Sequence, residues 1–423
     1  MTHPSSPAPA PRSEAVTLAA LTAAGLALRL AFDALADRDD LGFNDQFLYH
    51  HMAEGLADGR GYQIFGEPTL RWPPAYPFLV SLAYRVTSVD VTMALLLNAV
   101  LSAACIPLVH WCARPWLGRR AALAAALGVA LLPGQWLFAG TILTEPLAAL
   151  QILLVIGLVL RHPPGPRVAL ALGAVIGFSA LTRGEGALLG LVVVVGWAAR
   201  SPWRRILAPV VLTALVALAV LVPWVVRNSR LAGEPTGVSL NVAETLYAGH
   251  NPAADGGATY ATREVFLQAD PAPPGPEREL RQAELLQRLA REWALEHPVE
   301  EMELIPKKLL HLAEGDGNVV SIWIDASSED PLGRAEQPLI VLADVTWYAL
   351  LAAFVATLVA RRRELQREWV LPVLTLPALS LVLYGIVLYG NFRYRVPYEP
   401  LLLLVVAAGW SGTNQTDTVP RSA

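Results

Sequence analysis

The stretch "ILAPVVLTALVALAVLVPWVV", residues 206–226, contains no charged side chain. An α-helix needs about 20 consecutive apolar residues to cross the hydrocarbon layer of a membrane. This stretch has the required length and composition, with Arg204 and Arg205 before it and Arg227 after it. It therefore predicts a membrane-spanning helix.

The rest of the chain has the same character. Of its 423 residues, 54% are hydrophobic and only 16% are charged, so a soluble protein could not bury its apolar surface. The net charge of -4 excludes a generally basic nucleic-acid binder, and the bilayer is the expected partner. We expect an all-α polytopic membrane protein with about ten transmembrane helices and additional re-entrant or interfacial helices. The predicted spans are 15–35, 91–113, 120–139, 142–160, 167–181, 184–199, 206–226, 338–360, 369–390 and 396–410.

The arginines predict the orientation of these spans. Segment 75–88 is too short to cross and carries Arg85, so we interpret it as a re-entrant or interfacial helix. Both chain ends then lie in the cytoplasm, where short segments hold fourteen arginines against six in short outer segments. This bias agrees with the positive-inside rule.

The spans divide the chain into five parts. Residues 1–14 are a polar, Pro-rich tail, expected to be disordered and cytoplasmic. Residues 15–226 form an N-terminal transmembrane module that includes the first outer loop, 36–74; its first span could instead be a cleaved signal peptide, but we favour a retained helix. Residues 227–337 form a large outer loop with two amphipathic helices, which lie on the membrane surface or cap a cavity. The C-terminal helices, 338–410, and a cytoplasmic tail, 411–423, complete the chain.

Two acids are predicted at the outer face. Asp45 lies in "FNDQFLYHH" (residues 43–51), where helical spacing puts Asp45 and Tyr49 on one face with His50 beside them. Asp45 could instead cap this helix together with Asn44. Glu145 in "GTILTEPLAAL" falls at the outer end of a span, where it could equally be an N-terminal helix acid followed by Pro146 at a first helical position.

Outer arginines are a third feature. The positive-inside rule disfavours them on that side, so we expect some of them to have a function there. Guanidinium groups bind phosphate oxygens in a bidentate manner, although any one of these arginines could pair with a local acid, as Arg183 could with Glu185. The candidates for an anionic site are Arg71, Arg183, Arg227, Arg393 and Arg395.

Other chemistries have little support in the sequence. It contains no GxxxxGK[ST], HExxH or GxSxG motif and no Cys/His cluster at metal-ligand spacing. Its two cysteines, Cys105 and Cys112, lie in one apolar run and are expected to pack as small hydrophobic residues. No dedicated metal site is predicted, since adjacent histidines such as His50 and His51 point apart on a helix.

Several motifs, taken in order, resemble the GT-C superfamily of integral-membrane glycosyltransferases. The resemblance is to the branch that includes protein O-mannosyltransferase-like and aminoarabinose-transferase-like enzymes, and it extends from roughly residue 43 to 410. The matching motifs are "NDQFLYHHMAEGLADGRGY", "RWPPAYPFLVSLAYRV", "LTEPLAAL", "ALTRGEGALL", "PWVVRNSRLAGEP" and "FRYRVPYEPLLLLVVAAG".

This resemblance implies specific roles for the candidate residues. Asp45 matches the family's catalytic acid in the first outer loop, Glu145 matches a second acid, and Arg71, Arg183 and Arg393 correspond to the basic residues near a lipid phosphate. The donor would be a polyprenyl-phosphate sugar and the acceptor a hydroxyl of a protein, lipid or glycan, with Asp45 as general base and inversion at the anomeric carbon. The site would face the extracytoplasmic side. Tyr49, His50, Trp72 and Tyr394 are candidates for lining the sugar and acceptor pocket.

Two questions stay open at this point. The sequence Asn-Asp-Gln has one acid where many relatives carry two neighbouring acids, so the resemblance fixes no cofactor and leaves a divalent cation open. A transporter or lipid flippase, or a non-catalytic envelope scaffold, is the alternative function. A transporter would place ionisable groups at mid-membrane depth, for which Arg29, Asp344 and Glu399 are the candidates.

Overall fold

The computed structural model describes residues 12–35, 41, 44–261, 264–266, 274–321, 332–363 and 365–410. Within these ranges the chain is built almost entirely of helices, as the sequence predicts. The N-terminal helices are α1 (Arg12–Leu35), α2 (Asp45–Ala57), α3 (Ala75–Val86), α4 (Val91–Leu131), α5 (Pro133–Leu137), α6 (Glu145–Arg161), α7 (Pro166–Thr182), α8 (Leu189–Ala198) and α9 (Trp203–Ala232). The later helices are α10 (Asn241–Gly249), α11 (Pro276–Glu296), α12 (Pro298–Leu312), α13 (Glu336–Ala360), α14 (Val370–Val382) and α15 (Glu399–Trp410).

Short elements connect these helices. An antiparallel pair of two-residue strands, β1 (Gln63–Ile64) and β2 (Glu67–Pro68), lies between α2 and α3. Single 3₁₀ turns at Phe138–Gly140, Gly184–Leu188, Phe392–Tyr394 and Val396–Tyr398 join longer helices, and a π-helical turn, Leu383–Val387, extends α14. Several of the candidate site residues lie on these connecting elements.

Five helical stretches among the described residues are long and apolar enough to cross a membrane. They are Arg12–Ala34, Val91–Leu131, Trp203–Ala232, Gly333–Ala360 and Val370–Val387. The other predicted spans correspond to shorter helices or to parts of α4. The chain is therefore a multi-pass membrane protein, and the count of ten crossings stays a prediction.

Helix α4 covers the predicted span 91–113 and most of the predicted span 120–139, and its one break falls between them. It continues past Pro107 and Pro115 and is interrupted only at Gly118, whose φ of 76° and ψ of 178° are not helical. Glycine adopts a positive φ at little steric cost, so the chain turns there between two apolar segments. The second segment ends at Leu131, and Pro133 then begins the short helix α5.

The predicted boundaries of other elements agree closely with the structure. Segment 75–88 forms the short helix α3, and the two amphipathic helices of the large loop are α11 and α12, with Pro298 in the first turn of α12. Helix α1 begins at Arg12, within the predicted tail, whereas residues 1–11 and the tail 411–423 lie outside the described residues.

The two largest apolar cores hold most of the helices together. One core lies among α4, α6, α7, α8, α14 and α15 and is dominated by Ala, Val, Leu and Ile side chains. The second core joins α2 and α3 to the connection between α4 and α6, and includes Tyr49, Met52, Trp72 and Phe392. Because this second core packs α2, α3 and the segment between them against the beginning of α6 and the turn at Phe392, it brings distant parts of the sequence to one place.

Candidate active site

Asp45 is the first residue of α2, but it is not the residue that caps this helix. The side-chain oxygen of Asn44 accepts a hydrogen bond of 2.8 Å from the backbone N–H of Gln46, which is the usual N-cap contact. The Asp45 carboxylate instead accepts a 2.7 Å hydrogen bond through Oδ2 from Nη1 of Arg393, and one third of its side chain (33%) is exposed. Capping therefore does not account for Asp45.

Glu145 is the first residue of α6, as Asp45 is of α2. Pro146 follows it in the first turn, and the Glu145 side chain is fully buried. Its Oε1 accepts hydrogen bonds from Nε of Arg393 and, at 3.1 Å, from Nη1 of Arg183. Arg393 thus binds both predicted acids, which lie 100 residues apart in the sequence.

Arg393 is held in place by its own local structure. It lies in the 3₁₀ turn Phe392–Tyr394, where the side chain of Asn391 accepts a 3.0 Å hydrogen bond from the Arg393 backbone N–H. Burial disfavours its charge, but Glu145 and Asp45 outweigh burial and hold the pKa of Arg393 well above its ordinary value. The guanidinium is therefore a fixed positive charge between two carboxylates.

Arg183 continues this arrangement on the other side of Glu145. Its Nε donates a 2.5 Å hydrogen bond to Glu185, whose Oε1 also accepts a 2.8 Å hydrogen bond from the hydroxyl of Tyr384. We call the series Asp45, Arg393, Glu145, Arg183 and Glu185 the ion-pair chain. Carboxylate and guanidinium side chains alternate along the ion-pair chain, so each buried charge has a partner of opposite charge.

A cleft of about 340 Å³ opens beside Arg183. One end is polar, with Arg183 and Glu185, and most of the remaining surface is apolar or aromatic. The other lining residues are Ala148, Ile152, Ser179, Gly186, Leu189, Leu376, Tyr394, Pro397 and Tyr398. Nη2 of Arg183 makes no hydrogen bond to any described residue. This Arg183 cleft could therefore accept an anionic group attached to an apolar chain.

Tyrosines surround the ion-pair chain. Tyr394 stacks on Tyr384 with ring centroids 4.2 Å apart, and its hydroxyl donates a 2.6 Å hydrogen bond to Tyr389. Tyr49 is buried one helical turn from Asp45 and meets Tyr76 edge to face. Burial, and next the charge of Asp45, raises the pKa of Tyr49, so its hydroxyl stays protonated at neutral pH.

Three of the predicted phosphate-binding arginines have other partners in the structure. Arg71 pairs with Glu244 of α10 and lies 4.8 Å from the ring centre of Trp72. Arg227 donates to the backbone oxygens of Thr69 (2.7 Å) and Tyr62 (3.0 Å). Arg395 binds Asp316, Glu399 and the backbone oxygen of Leu312. The structure therefore brings Arg183 and Arg393 to the two acids, whereas Arg71, Arg227 and Arg395 bind other groups.

His50 and Trp72 also point away from the ion-pair chain. Nδ1 of His50 lies 2.7 Å from the hydroxyl of Tyr84 on α3. Trp72 is buried in the second core, where its backbone oxygen accepts a 3.0 Å hydrogen bond from Tyr62. Of the four residues predicted to line the sugar and acceptor pocket, Tyr49 and Tyr394 are the ones that adjoin the ion-pair chain.

The ionisable groups considered for a transport pathway are tied to the protein itself. Arg29 donates to Ser102 (2.8 Å) and to the backbone oxygen of Gly25 (2.8 Å), so it joins α1 to α4. Asp344 accepts a 2.7 Å hydrogen bond from the Gly317 backbone, and Glu399 pairs with Arg395. These contacts give the three groups structural partners.

No group of three His, Cys, Asp or Glu side chains suited to a metal ion occurs among the described residues. The candidate cation thus has no evident ligand set in this part of the chain, and its involvement stays untested.

The sequence identifies Glu185 as a local candidate partner of Arg183, and the structure shows that pair. Neither Tyr384 nor Glu244 was foreseen from the sequence. Glu244, in "NVAETLYAG" (residues 241–249), carries no local signal beyond an amphipathic pattern. Its pairing with Arg71 joins residues 173 positions apart, which no local pattern reports.

Comparison with known proteins supports the family resemblance. Residues 71–226 match the family described as dolichyl-phosphate-mannose-protein mannosyltransferase, a segment that contains Glu145 and Arg183. The oligosaccharyltransferase of Archaeoglobus fulgidus, solved with Zn and sulfate, superposes with a TM-score of 0.55 at 15% identity, covering 93% of this chain and 48% of that one. Archaeoglobus fulgidus AglB, in complex with an inhibitory peptide and a dolichol-phosphate, superposes with a TM-score of 0.53 at 15% identity. The match covers 94% of this chain and 50% of that one. No curated relative matches the chain.

A third solved protein, ArnT from Cupriavidus metallidurans bound to undecaprenyl phosphate, has a TM-score of 0.45 at 16% identity, covering 95% of this chain and 78% of that one. The chain spans about half the length of the oligosaccharyltransferases, and identities this low establish the fold alone. The fold is like that of these oligosaccharyltransferases, so the predicted all-α, GT-C-like fold and the resemblance are confirmed, whereas the count of about ten transmembrane helices is not.

Proposed function

We propose that this chain, a membrane protein with the GT-C glycosyltransferase fold, transfers a sugar from a polyprenyl phosphate to an acceptor hydroxyl at the extracytoplasmic face of the membrane. The observation that carries the proposal is Arg393, whose guanidinium binds Asp45 and Glu145 together. A partly exposed carboxylate, a buried carboxylate and two fixed cations are thereby concentrated at one point. General base catalysis and electrostatic stabilisation of a leaving phosphate need such groups together.

The donor fits the Arg183 cleft. Its apolar walls, including Ile152, Leu189 and Leu376, suit the prenyl chain, and Arg183 at the polar end suits the phosphate. The pKa of Arg183 is held well above its ordinary value, since Glu185 and Glu145 outweigh the effect of burial. Arg183 therefore remains a cation when the phosphate leaves.

Asp45 is the general base of the proposed reaction. The acceptor oxygen forms a bond to the anomeric carbon and gives its proton to Asp45. The bond between that carbon and the phosphate oxygen breaks, and its electron pair leaves with the polyprenyl phosphate. One displacement from the face opposite the phosphate inverts the configuration of the sugar. Arg183 and Arg393 stabilise the charge that develops on the phosphate.

Glu145 has a positioning role in this scheme. Because it is buried and accepts hydrogen bonds from Arg183 and Arg393, it fixes the separation of the two guanidiniums. Preorganised charges of this kind lower a barrier without needing to reorient during the reaction.

The transfer reaction itself tests the proposal. The purified protein in detergent is incubated with a panel of radiolabelled polyprenyl-phosphate sugars and a detergent extract of cell envelopes. We expect label to move from at least one donor to a component of the extract, with the opposite anomeric configuration by NMR. An Arg393→Ala protein that elutes like the wild type on size exclusion should transfer none. The proposal fails if the wild type transfers from no donor, or if Arg393→Ala transfers as well as the wild type.

A further inference from the structure

The two amphipathic helices of the large loop use their apolar side chains differently, although the sequence predicts them as a pair of one kind. The apolar side of α11 is buried inside the loop, where Leu286 and Ala290 pack with Tyr247 of α10. The exposed side chains of α11 before its last turn are all charged or carry an amide: Glu277, Arg281, Glu284, Gln287, Arg288, Arg291 and Glu292. The outward side of α11 is therefore suited to water.

Helix α12 has three distinct faces, since an α-helix turns by about 100° per residue. One face is buried against the protein and holds Leu304, Lys308 and Leu312. A second face is exposed and charged, with Glu300, Glu303 and Lys307. The third face is exposed and apolar, covers roughly 100° of the helix surface and consists of Val299, Met302, Pro306, Leu309 and Leu310. We call it the apolar α12 face.

The apolar α12 face is strongly exposed to its surroundings. Met302 is 71% exposed and Leu310 is 70% exposed. A contiguous apolar patch bordered by charged residues marks a surface that contacts a membrane or another protein. The helix itself is too short to cross a membrane, with 15 residues that include glutamates and lysines. A helix with one apolar and one charged exposed face is typical of the membrane interface.

The neighbours of α12 favour the membrane as its partner. Cδ2 of Leu309 lies only 2.7 Å from the point that a Cβ on Gly385 would occupy, so α12 packs on the π-helical turn that extends α14. His250 strengthens this contact, since Nδ1 lies 2.8 Å from Oε2 of Glu301 and Nε2 lies 2.9 Å from the backbone oxygen of Val387. Helix α12 is thereby held across one end of α14.

The stretch Val370–Val387 is one of the helices long and apolar enough to span a membrane. Its end next to α12 exposes four apolar side chains: Leu381, Val382, Ile386 and Val387. In a spanning helix such residues face lipid. The apolar α12 face therefore continues a lipid-facing surface.

We infer that the apolar α12 face inserts into the lipid leaflet at the Val387 end of α14, with lipid acyl chains as its partner, while the outward side of α11 stays in water. Interfacial helices of this kind lie about 5–10 Å into the boundary between headgroups and acyl chains. The backbone oxygen of Leu312, at the end of α12, accepts a 3.1 Å hydrogen bond from Nε of Arg395. The leaflet thereby supports the large loop next to the turn that carries Arg393.

Fluorescence quenching in lipid nanodiscs tests the inference without any transfer reaction. The full-length protein receives a single new cysteine, labelled with an environment-sensitive fluorophore, in nanodiscs of phosphatidylcholine. Met302→Cys and Leu310→Cys report on the apolar α12 face. Glu300→Cys, on the charged face of the same helix, and Glu284→Cys, on α11, are the matched controls. The native cysteines are buried, so the label attaches to the new one.

Two quenchers separate lipid from water in this experiment. A phosphatidylcholine with a nitroxide on the upper part of one acyl chain quenches in the leaflet, and iodide quenches in water. We expect the lipid nitroxide to lower the fluorescence at Met302→Cys and Leu310→Cys while iodide has little effect. The opposite pattern is expected at Glu300→Cys and Glu284→Cys. Each variant is used only if it elutes like the wild type on size exclusion, and the two apolar positions are independent of each other.

Two results would overturn the inference. Iodide could quench the labels at Met302→Cys and Leu310→Cys as strongly as those of the controls, which would place this face in water. Alternatively, neither quencher could reach these two labels, which would mean that another protein chain covers the face. Both results leave the proposed function standing, because it does not depend on where α12 lies.

Discussion

Asn44 and Asp45 have separate functions at the start of α2. The sequence alone left Asp45 as either a cap or a catalytic acid, because both interpretations place an acid at a helix start. The structure gives the cap to Asn44 and pairs Asp45 with Arg393, 348 positions away. Capping depends on neighbouring residues and can be predicted, whereas the Arg393 contact depends on the fold of the whole chain.

The Arg393→Lys variant should separate the effect of the positive charge from the effect of the two oriented hydrogen bonds. Lysine keeps the positive charge but cannot donate to Asp45 and Glu145 through two different nitrogens. We expect kcat to fall about 100-fold, the effect of losing one oriented donor to a developing negative charge. The measurement is steady-state transfer at saturating donor, with exposed Arg281→Lys as the matched control. An unchanged kcat would mean that charge alone suffices.

At the scale of secondary structure, periodicity and proline positions predict most helices because both act locally. Helix α3 begins and ends close to the predicted segment 75–88, and the two predicted amphipathic helices form as α11 and α12. The break of α4 at Gly118 falls between the predicted spans 91–113 and 120–139, whereas the strand pair at Gln63–Pro68 was not predicted. That pair depends on a few residues whose conformation is set by packing rather than by a repeated pattern.

The contact between α2 and α3 should be sensitive to acid. Burial, and next the charge of His51, lowers the pKa of His50, while Glu54 and Asp90 oppose the change. Neutral His50 shares a 2.7 Å hydrogen bond with the Tyr84 hydroxyl through Nδ1, and protonation adds a charge that its partly buried position disfavours. The unfolded chain binds the proton more readily than the folded protein, so stability falls as the pH drops below the ordinary value of 6.5.

Thermal unfolding in detergent at pH 7.5 and pH 5 measures this effect. We expect the unfolding midpoint of the wild type to fall more on acidification than that of His50→Gln, which cannot gain the proton. The matched control is His311→Gln, since about one third of the His311 side chain (32%) is exposed and this residue lies on α12, away from α2 and α3. If acidification lowers the unfolding midpoints of His50→Gln and the wild type by the same number of degrees, His50 does not cause the acid sensitivity.

At the scale of the whole molecule, composition predicts the membrane class, and motif order predicts the GT-C fold. The sequence could not show that Asp45, Glu145 and Arg393 converge, because that contact depends on the whole fold. The partners of individual arginines could not be predicted either, because those of Arg71, Arg227 and Arg395 are distant in the sequence.

Cysteine labelling tests the orientation of the chain. The two native cysteines are buried, so new ones can be labelled selectively. We expect Glu277→Cys in the large loop to react with a membrane-impermeant maleimide on intact cells. Arg362→Cys, beyond α13, should react only after the membrane is opened. The reverse pattern, or equal labelling of both, would contradict an extracytoplasmic site.

The most direct measurement of the central claim is the single-turnover transfer rate of Asp45→Asn with donor already bound. If Asp45 is the general base, the rate falls at least about 100-fold while polyprenyl phosphate binding stays near that of the wild type. Asp58→Asn, an exposed acid at the other end of α2, should keep the wild-type rate. A folded Asp45→Asn protein that transfers at the wild-type rate would contradict the assignment of this site.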